Sequence, residues 1–161
     1  MKVGLNMKYQ ETKEKLNELV INLLHMHMIV RRHHWYMRGS QFLKLHPYLD
    51  DLMDELDDQI DGLAERLITI DGSPVATLRE VVQLNKIPGE KGSWDFTNTQ
   101  RLEKIISGYR YLDKLYEEAL EASDKEGDYS TNDILTGFHT DLEKRLWMLT
   151  AELGQAPDID A

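Results

Sequence analysis

Between Asp50 and Glu65 the chain carries eight carboxylates, Asp50, Asp51, Asp54, Glu55, Asp57, Asp58, Asp61 and Glu65, and no lysine or arginine among them. His46, Asp50, Asp54, Asp57, Asp61 and Glu65 follow one another at intervals of 4, 4, 3, 4 and 4 residues. At ~100° per residue of an α-helix, these six fall on one stripe. Acidic runs are most often solvated helix faces, but like charges at this spacing repel. A stripe without a balancing cation points to cations taken from solution. Histidine with carboxylates suits divalent first-row metals such as iron, manganese or zinc.

The stripe is too long for one metal. His46 and Glu65 are 19 residues apart, which is ~28 Å along a helix. Either the stripe holds separate sites, or the helix pairs antiparallel with its own copy across a two-fold axis. The second arrangement sets His46 and Asp50 of one chain against Asp61 and Glu65 of the other, giving two equivalent sites. Gly39 reverses the chain between His34 and His46, so His34, His46 and Asp50 come from one hairpin. A di-metal site inside a bundle would use Glu-x-x-His pairs. Three residues before the six histidines stand Asn22, Leu24, Val30, Arg31, Leu43 and Thr136, none of them Glu.

The elements that position these residues are helices. Apolar residues recur at i, i+3, i+4 and i+7 from about Thr12 to Met37, and again from about Ser40 to Ile70. Asp71-Gly72-Ser73-Pro74 breaks the second helix. A short helix over Thr77–Leu84 and a Pro/Gly-rich loop at Ile87–Gly92 lead to a third long helix, about Asn98 to Ser123, closed by Gly127. The fourth is expected to begin at Ser130 or Thr131 and to end at Gly154. The pattern predicts an all-α, ferritin-like four-helix bundle, with a long crossover containing a short helix between helices 2 and 3.

The 161 residues suit one domain over 1–161, with short tails at about 1–10 and 155–161. With 19 Lys+Arg against 29 Asp+Glu the formal charge is −10, and there is no cysteine. Disulfides, thiol chemistry and thiolate metal sites are thereby excluded. No uncharged run approaches the ~18 residues of a membrane helix, and the N-terminus lacks a secretory layout. A cytoplasmic, soluble protein is expected. Its acidity disfavours binding nucleic acid over the whole surface.

The stretch His34-Trp35-Tyr36-Met37-Arg38-Gly39-x-x-Phe42-x-x-Leu45-His46-x-x-x-Asp50, continued by Asp61-x-x-Ala64-Glu65-Arg66 and Gly72-Ser73-Pro74, resembles the Dps family of miniferritins. Its spacings are twelve from His to His, four to Asp, eleven to the second Asp and four to Glu. Asp124-Lys125-Glu126-Gly127-Asp128, Thr131-Asn132-Asp133 and Trp147-Met148-Leu149 are similar to the Gram-positive members, and the resemblance spans about residues 10–157. It implies a hollow homododecamer with ferroxidase centres at two-fold interfaces. His34, His46 and Asp50 would come from one subunit, Asp61 and Glu65 from its neighbour. Such proteins oxidise ferrous iron, preferentially with hydrogen peroxide, and store ferric mineral, protecting against oxidative stress. No organic cofactor is implied. Trp35 looks like the family tryptophan beside the centre, divided here between packing and electron donation.

Two departures stand out. Pro47 lies between two implied ligands, where proline costs ~3 kcal/mol inside a straight helix, so the second helix is expected to bend there or to start at Pro47. Acidic residues near the start of helix 4 line an iron-uptake pore in the family. Asp124, Asp128 and Asp133 fit, but Tyr129 stands where an acid is common, so a pore with fewer carboxylates and slower uptake is expected. His25 and His27, two apart, point in different directions and are assigned structural or surface roles. His33 is at most auxiliary, and His139 has no evident partner. The alternative function, a DNA-compacting structural protein, would rest on an N-terminal tail that is only +2 over its first fifteen residues. Direct DNA binding is expected to be absent or weak, with nucleoid association only if it occurs.

Overall fold

The computed structural model describes residues 7–161; the first six, including Lys2 of the expected tail, lie outside the described residues. Helix follows helix: α1 Gln10–Tyr36, α2 Phe42–Thr69, α3 Leu78–Leu84, α4 Asn98–Glu126 and α5 Tyr129–Glu152, with no strand among the described residues. Cross-helix contacts give the directions. Lys15 meets Glu118 and Lys125 meets Glu11, each at 2.7 Å, so α1 and α4 are antiparallel. Lys44 meets Glu152 at 2.7 Å and Arg66 meets Asp128 at 2.8 Å, so α2 and α5 are antiparallel as well. The α1–α2 hairpin then makes α2 parallel to α4. The crossover over 70–97 must therefore run the length of the bundle, as expected of the ferritin-like topology. Asn17 and Asn22 of α1 pin it, their Oδ1 atoms accepting from the backbone N–H of Val75 and Lys86 at 2.8 Å each.

The apolar stripes meet in one core. Leu16, Leu19, Leu23, Leu49, Leu52, Leu56, Leu63, Ile105, Leu112, Leu135 and Leu142 are fully buried. Each such leucine contributes about 1.5–3 kcal/mol by leaving water. Tyr116 enters the same core and donates its hydroxyl to Gln59 Oε1 at 2.7 Å. A Cβ on Gly62 would stand 3.1 Å from the Phe138 ring, which shows how closely α2 and α5 approach.

Three helix starts differ from the periodicity. α2 begins at Phe42 and runs through Pro47 as its sixth residue; it does not begin at the proline. The proline removes the N–H that Leu43 O would have received, and Leu43 is 86% exposed, so water can replace that donor. α5 begins at Tyr129, not at Ser130 or Thr131, because Asp128 supplies the cap. Its carboxylate accepts from Thr131 N–H at 3.2 Å and from the Thr131 hydroxyl. α1 begins at Gln10, and Glu126, the last residue of α4, caps it from across the bundle. Its carboxylate accepts from Glu11 N–H at 3.0 Å, Thr12 N–H at 2.8 Å and Thr12 Oγ1 at 2.7 Å.

Candidate metal centre

The end of α1 and the start of α2 bring His34, His46 and Asp50 together, with one ligating atom of each within 4.8 Å of the others. His34 Nε2 stands 3.4 Å from Asp50 Oδ1. The imidazoles of His34 and His46 stack with centroids 3.6 Å apart and planes 16° from parallel. Phe42 covers the other side of His46 at 4.5 Å.

Each ring is tied to the other residue's backbone. His34 Nδ1 donates to His46 O and His46 Nδ1 donates to His34 O, both at 3.0 Å. A carbonyl only accepts, so each Nδ1 carries a hydrogen, and Nε2 is the nitrogen left facing the site, with its lone pair available in the neutral ring. Metal-binding histidines are oriented by such contacts at their second nitrogen. The acceptor at His34 is free because α1 stops at Tyr36: the last carbonyls of a helix have no partner within it. Two nitrogens and a carboxylate so arranged fit a divalent first-row metal.

Asp61 and Glu65 lie on the same face of α2, exposed and without an ion-pair partner among the described residues. Asp61 is 11 residues beyond Asp50, ~16 Å along the helix, so the same chain cannot bring it to His34 and His46. Two stripe residues are answered from α1: Asp50 by His34, and Asp57 by His27, whose Nε2 lies 3.2 Å from Asp57 Oδ1. Asp54 has no such partner among the described residues. Glu55, off the stripe, is bound by Arg145 of α5. Trp35 is 58% exposed beside His34, with the Arg31 guanidinium 5.9 Å from its ring.

Of the residues assigned to a pore, Asp124 and Asp133 are exposed. Asp128 is 2% exposed, and its carboxylate is engaged by Arg66 at 2.8 Å and by Thr131. Its capping and ion-pairing geometry turns it inward, so it does not present a free carboxylate as a pore lining would require. Tyr129 beside it is exposed.

The remaining histidines separate sharply. His25 packs on the crossover against Gly89, while His27 faces α2, as their spacing dictates. His33 is fully enclosed, and burial together with Arg32 and Arg101 pushes its pKa down to about 4. Burial excludes it from a ligand role at the exposed edge where Asp50 stands. His139 has the partners its local sequence did not reveal. It meets Asp113 of α4, and Glu143 one turn along α5. The i, i+4 spacing of His139 and Glu143 was readable; the facing Asp113 was not.

Among the described residues, no helix is long and apolar enough to cross a membrane. Residues 13–159 match the Ferritin family, the ferritin-like domain. The DNA protection during starvation protein of Streptococcus suis (strain P1/7) is 40% identical over 149 residues, covering 92% of this chain and 87% of that protein. Dps from Listeria monocytogenes superposes with a TM-score of 0.89 at 39% identity, covering 91% of this chain and 96% of that one. The Dps protein of Vibrio cholerae O1, described as one of the ferritin-like diiron-carboxylate proteins, superposes with a TM-score of 0.87 at 26% identity, covering 95% and 96%.

Proposed function

This chain belongs to the Dps family of ferritin-like proteins, and on that footing we propose that it is a cytoplasmic ferroxidase and iron store. The observation that carries the reading is the hairpin of His34, His46 and Asp50, whose two imidazoles are held through Nδ1 so that Nε2 faces the site. Ferrous iron is the substrate. Asp61 and Glu65 of a two-fold-related subunit complete the ligand set, which requires an oligomer, and a cage of twelve chains supplies six such interfaces. Two ferrous ions each give up one electron to one hydrogen peroxide. The O–O bond breaks and, with two protons taken up, two waters form. Ferric product then collects as mineral inside the cage. Reducing peroxide by electron pairs avoids hydroxyl radical, which is how iron chemistry would protect the cell and its DNA. Trp35, exposed and next to His34 in the chain, is assigned either packing or electron donation.

Iron reaches the cavity past Asp124 and Asp133, with Asp128 buried and Tyr129 where a carboxylate could stand. With fewer carboxylates in the pore, slower iron uptake follows. The DNA-compacting alternative has less support, since the chain is formally −10 and would need a cationic surface to hold phosphate.

The experiment is ferrous oxidation by the purified oligomer, followed by ferric absorbance, with peroxide under anaerobic conditions against oxygen alone. Fast oxidation with peroxide, lost in His34→Ala combined with His46→Ala, supports the reading. Equal rates in the double variant, still assembled, refute it.

A further inference from the structure

We propose that Asp113, His139 and Glu143 form a second divalent-metal site, bridging α4 and α5 and separate from the centre on α1 and α2. His139 Nε2 lies 2.9 Å from Asp113 Oδ1 and 4.0 Å from Glu143 Oε1, and one ligating atom of each residue lies within 4.8 Å of the others. A metal held ~2.1 Å from each of three tetrahedral ligands places those ligand atoms ~3.4 Å apart. The observed separations bracket that value, so the cation needs only small side-chain rotations to enter.

The surroundings favour a cation. His139 and Glu143 are spaced i, i+4 on one face of α5 and Asp113 faces them from α4, so two rigid helices fix the donors. Side-chain exposure is 15% at His139, 11% at Asp113 and 39% at Glu143, which describes a site walled on the protein side and open at Glu143. Tyr116 backs the imidazole with ring centroids 6.1 Å apart. The charged groups acting on His139 most strongly are Asp113, Glu143 and Glu117, all acidic. One imidazole with two carboxylates is a ligand set for zinc, ferrous iron or manganese, and too nitrogen-rich for magnesium or calcium. A water would occupy the remaining position.

The site lies apart from the first one. Tyr116, behind His139, reaches Gln59 on the buried side of α2, whereas Asp50 and Asp61 are exposed on the outer side of that helix. Ligand losses at the two sites are therefore independent.

Cobalt(II) is the probe. Full-length assembled protein carrying His46→Ala and Asp50→Ala, which silences the α1–α2 centre, is titrated by equilibrium dialysis and by cobalt ligand-field absorption. The expected result is one saturable cobalt per chain, with affinity reduced at least ten-fold by adding His139→Gln or Asp113→Asn. Circular dichroism and gel filtration establish that these variants remain helical and assembled. Should both fail that check, zinc anomalous scattering from crystals of the unmutated protein decides: a peak between His139 and Asp113 supports the site. Cobalt binding unchanged by both substitutions, or no anomalous peak, overturns it. A His46→Ala, Asp50→Ala protein that stays assembled but binds no cobalt would overturn it too, since the second site should still fill.

Discussion

Mixing two inactive variants should restore a defined share of iron oxidation. His46→Ala with Asp50→Ala removes one half of each proposed centre; Asp61→Ala with Glu65→Ala removes the other. The halves sit 11 residues apart on α2 between Asp50 and Asp61, ~16 Å, so neither variant can complete a centre within one chain. In a dimer of unlike variants, one interface site receives only the unmutated halves and its twin receives only the mutated ones. Random assembly of equal amounts makes half the dimers unlike, so about one quarter of all sites are intact. Cages refolded from a 1:1 mixture, purified through a different affinity tag on each variant, should therefore oxidise ferrous iron at about one quarter of the unmutated rate. Each variant alone should give only background. Hybrid cages that stay at background would refute ligands shared between subunits. So would either variant alone retaining the unmutated rate, since the residues it lacks would then not be ligands of the centre.

Glu126→Ala should cost about 1–2 kcal/mol by urea denaturation, because it uncaps the first turn of α1. Hydrogen bonds from Thr12 and Glu11 outweigh the opposing effect of burial and hold that carboxyl below its usual pKa of 4.5, so its stabilisation is present above pH 4.5 and lost as pH falls further. His33 acts over a higher window. It stays neutral in the folded chain down to about 4, while the unfolded chain takes up a proton near 6.5. Stability should thus fall by up to ~3 kcal/mol between those two values, and urea midpoints measured across that range should fall less in His33→Leu. Linear duplex DNA should show no gel retardation at ~150 mM salt, since lysine–phosphate contacts weaken steeply as salt rises. Retardation surviving at that salt would bring the N-terminal lysines forward as a functional element.

The helices, the crossover and the meeting of His34, His46 and Asp50 were legible because each is a matter of spacing. Period 3.6 marks buried faces, and the His34–His46–Asp50 intervals bring three donors to one hairpin once Gly39 turns the chain. Spacing along one helix is silent about what faces it. Asp113 opposite His139, Arg145 opposite Glu55 and His27 opposite Asp57 are cross-helix meetings. Asp128 is the instructive failure. Its type and position fit a pore, but Arg66 lies across the bundle and the open end of α5 needs an acceptor, so its carboxylate turns inward.

Pro47 shows how a locally unfavourable residue can be compatible with a functional site. A helix beginning at the proline would leave His46 in a preceding turn, with its ring free to rotate. Instead, α2 starts at Phe42, and the first turn is closed by Leu45 N–H donating to Gln41 O at 2.9 Å. His46 is thereby helical before the proline is reached, and its Nδ1 meets the orphan carbonyl that the end of α1 leaves at His34. The end of one helix and the start of the next are thus tied to each other through two imidazoles. The same two contacts that join the helices hold both Nε2 atoms ready for metal. Local stability of the hairpin and orientation of the ligands are one set of interactions, so a substitution that loosens the α1–α2 turn should weaken metal binding without touching a ligand.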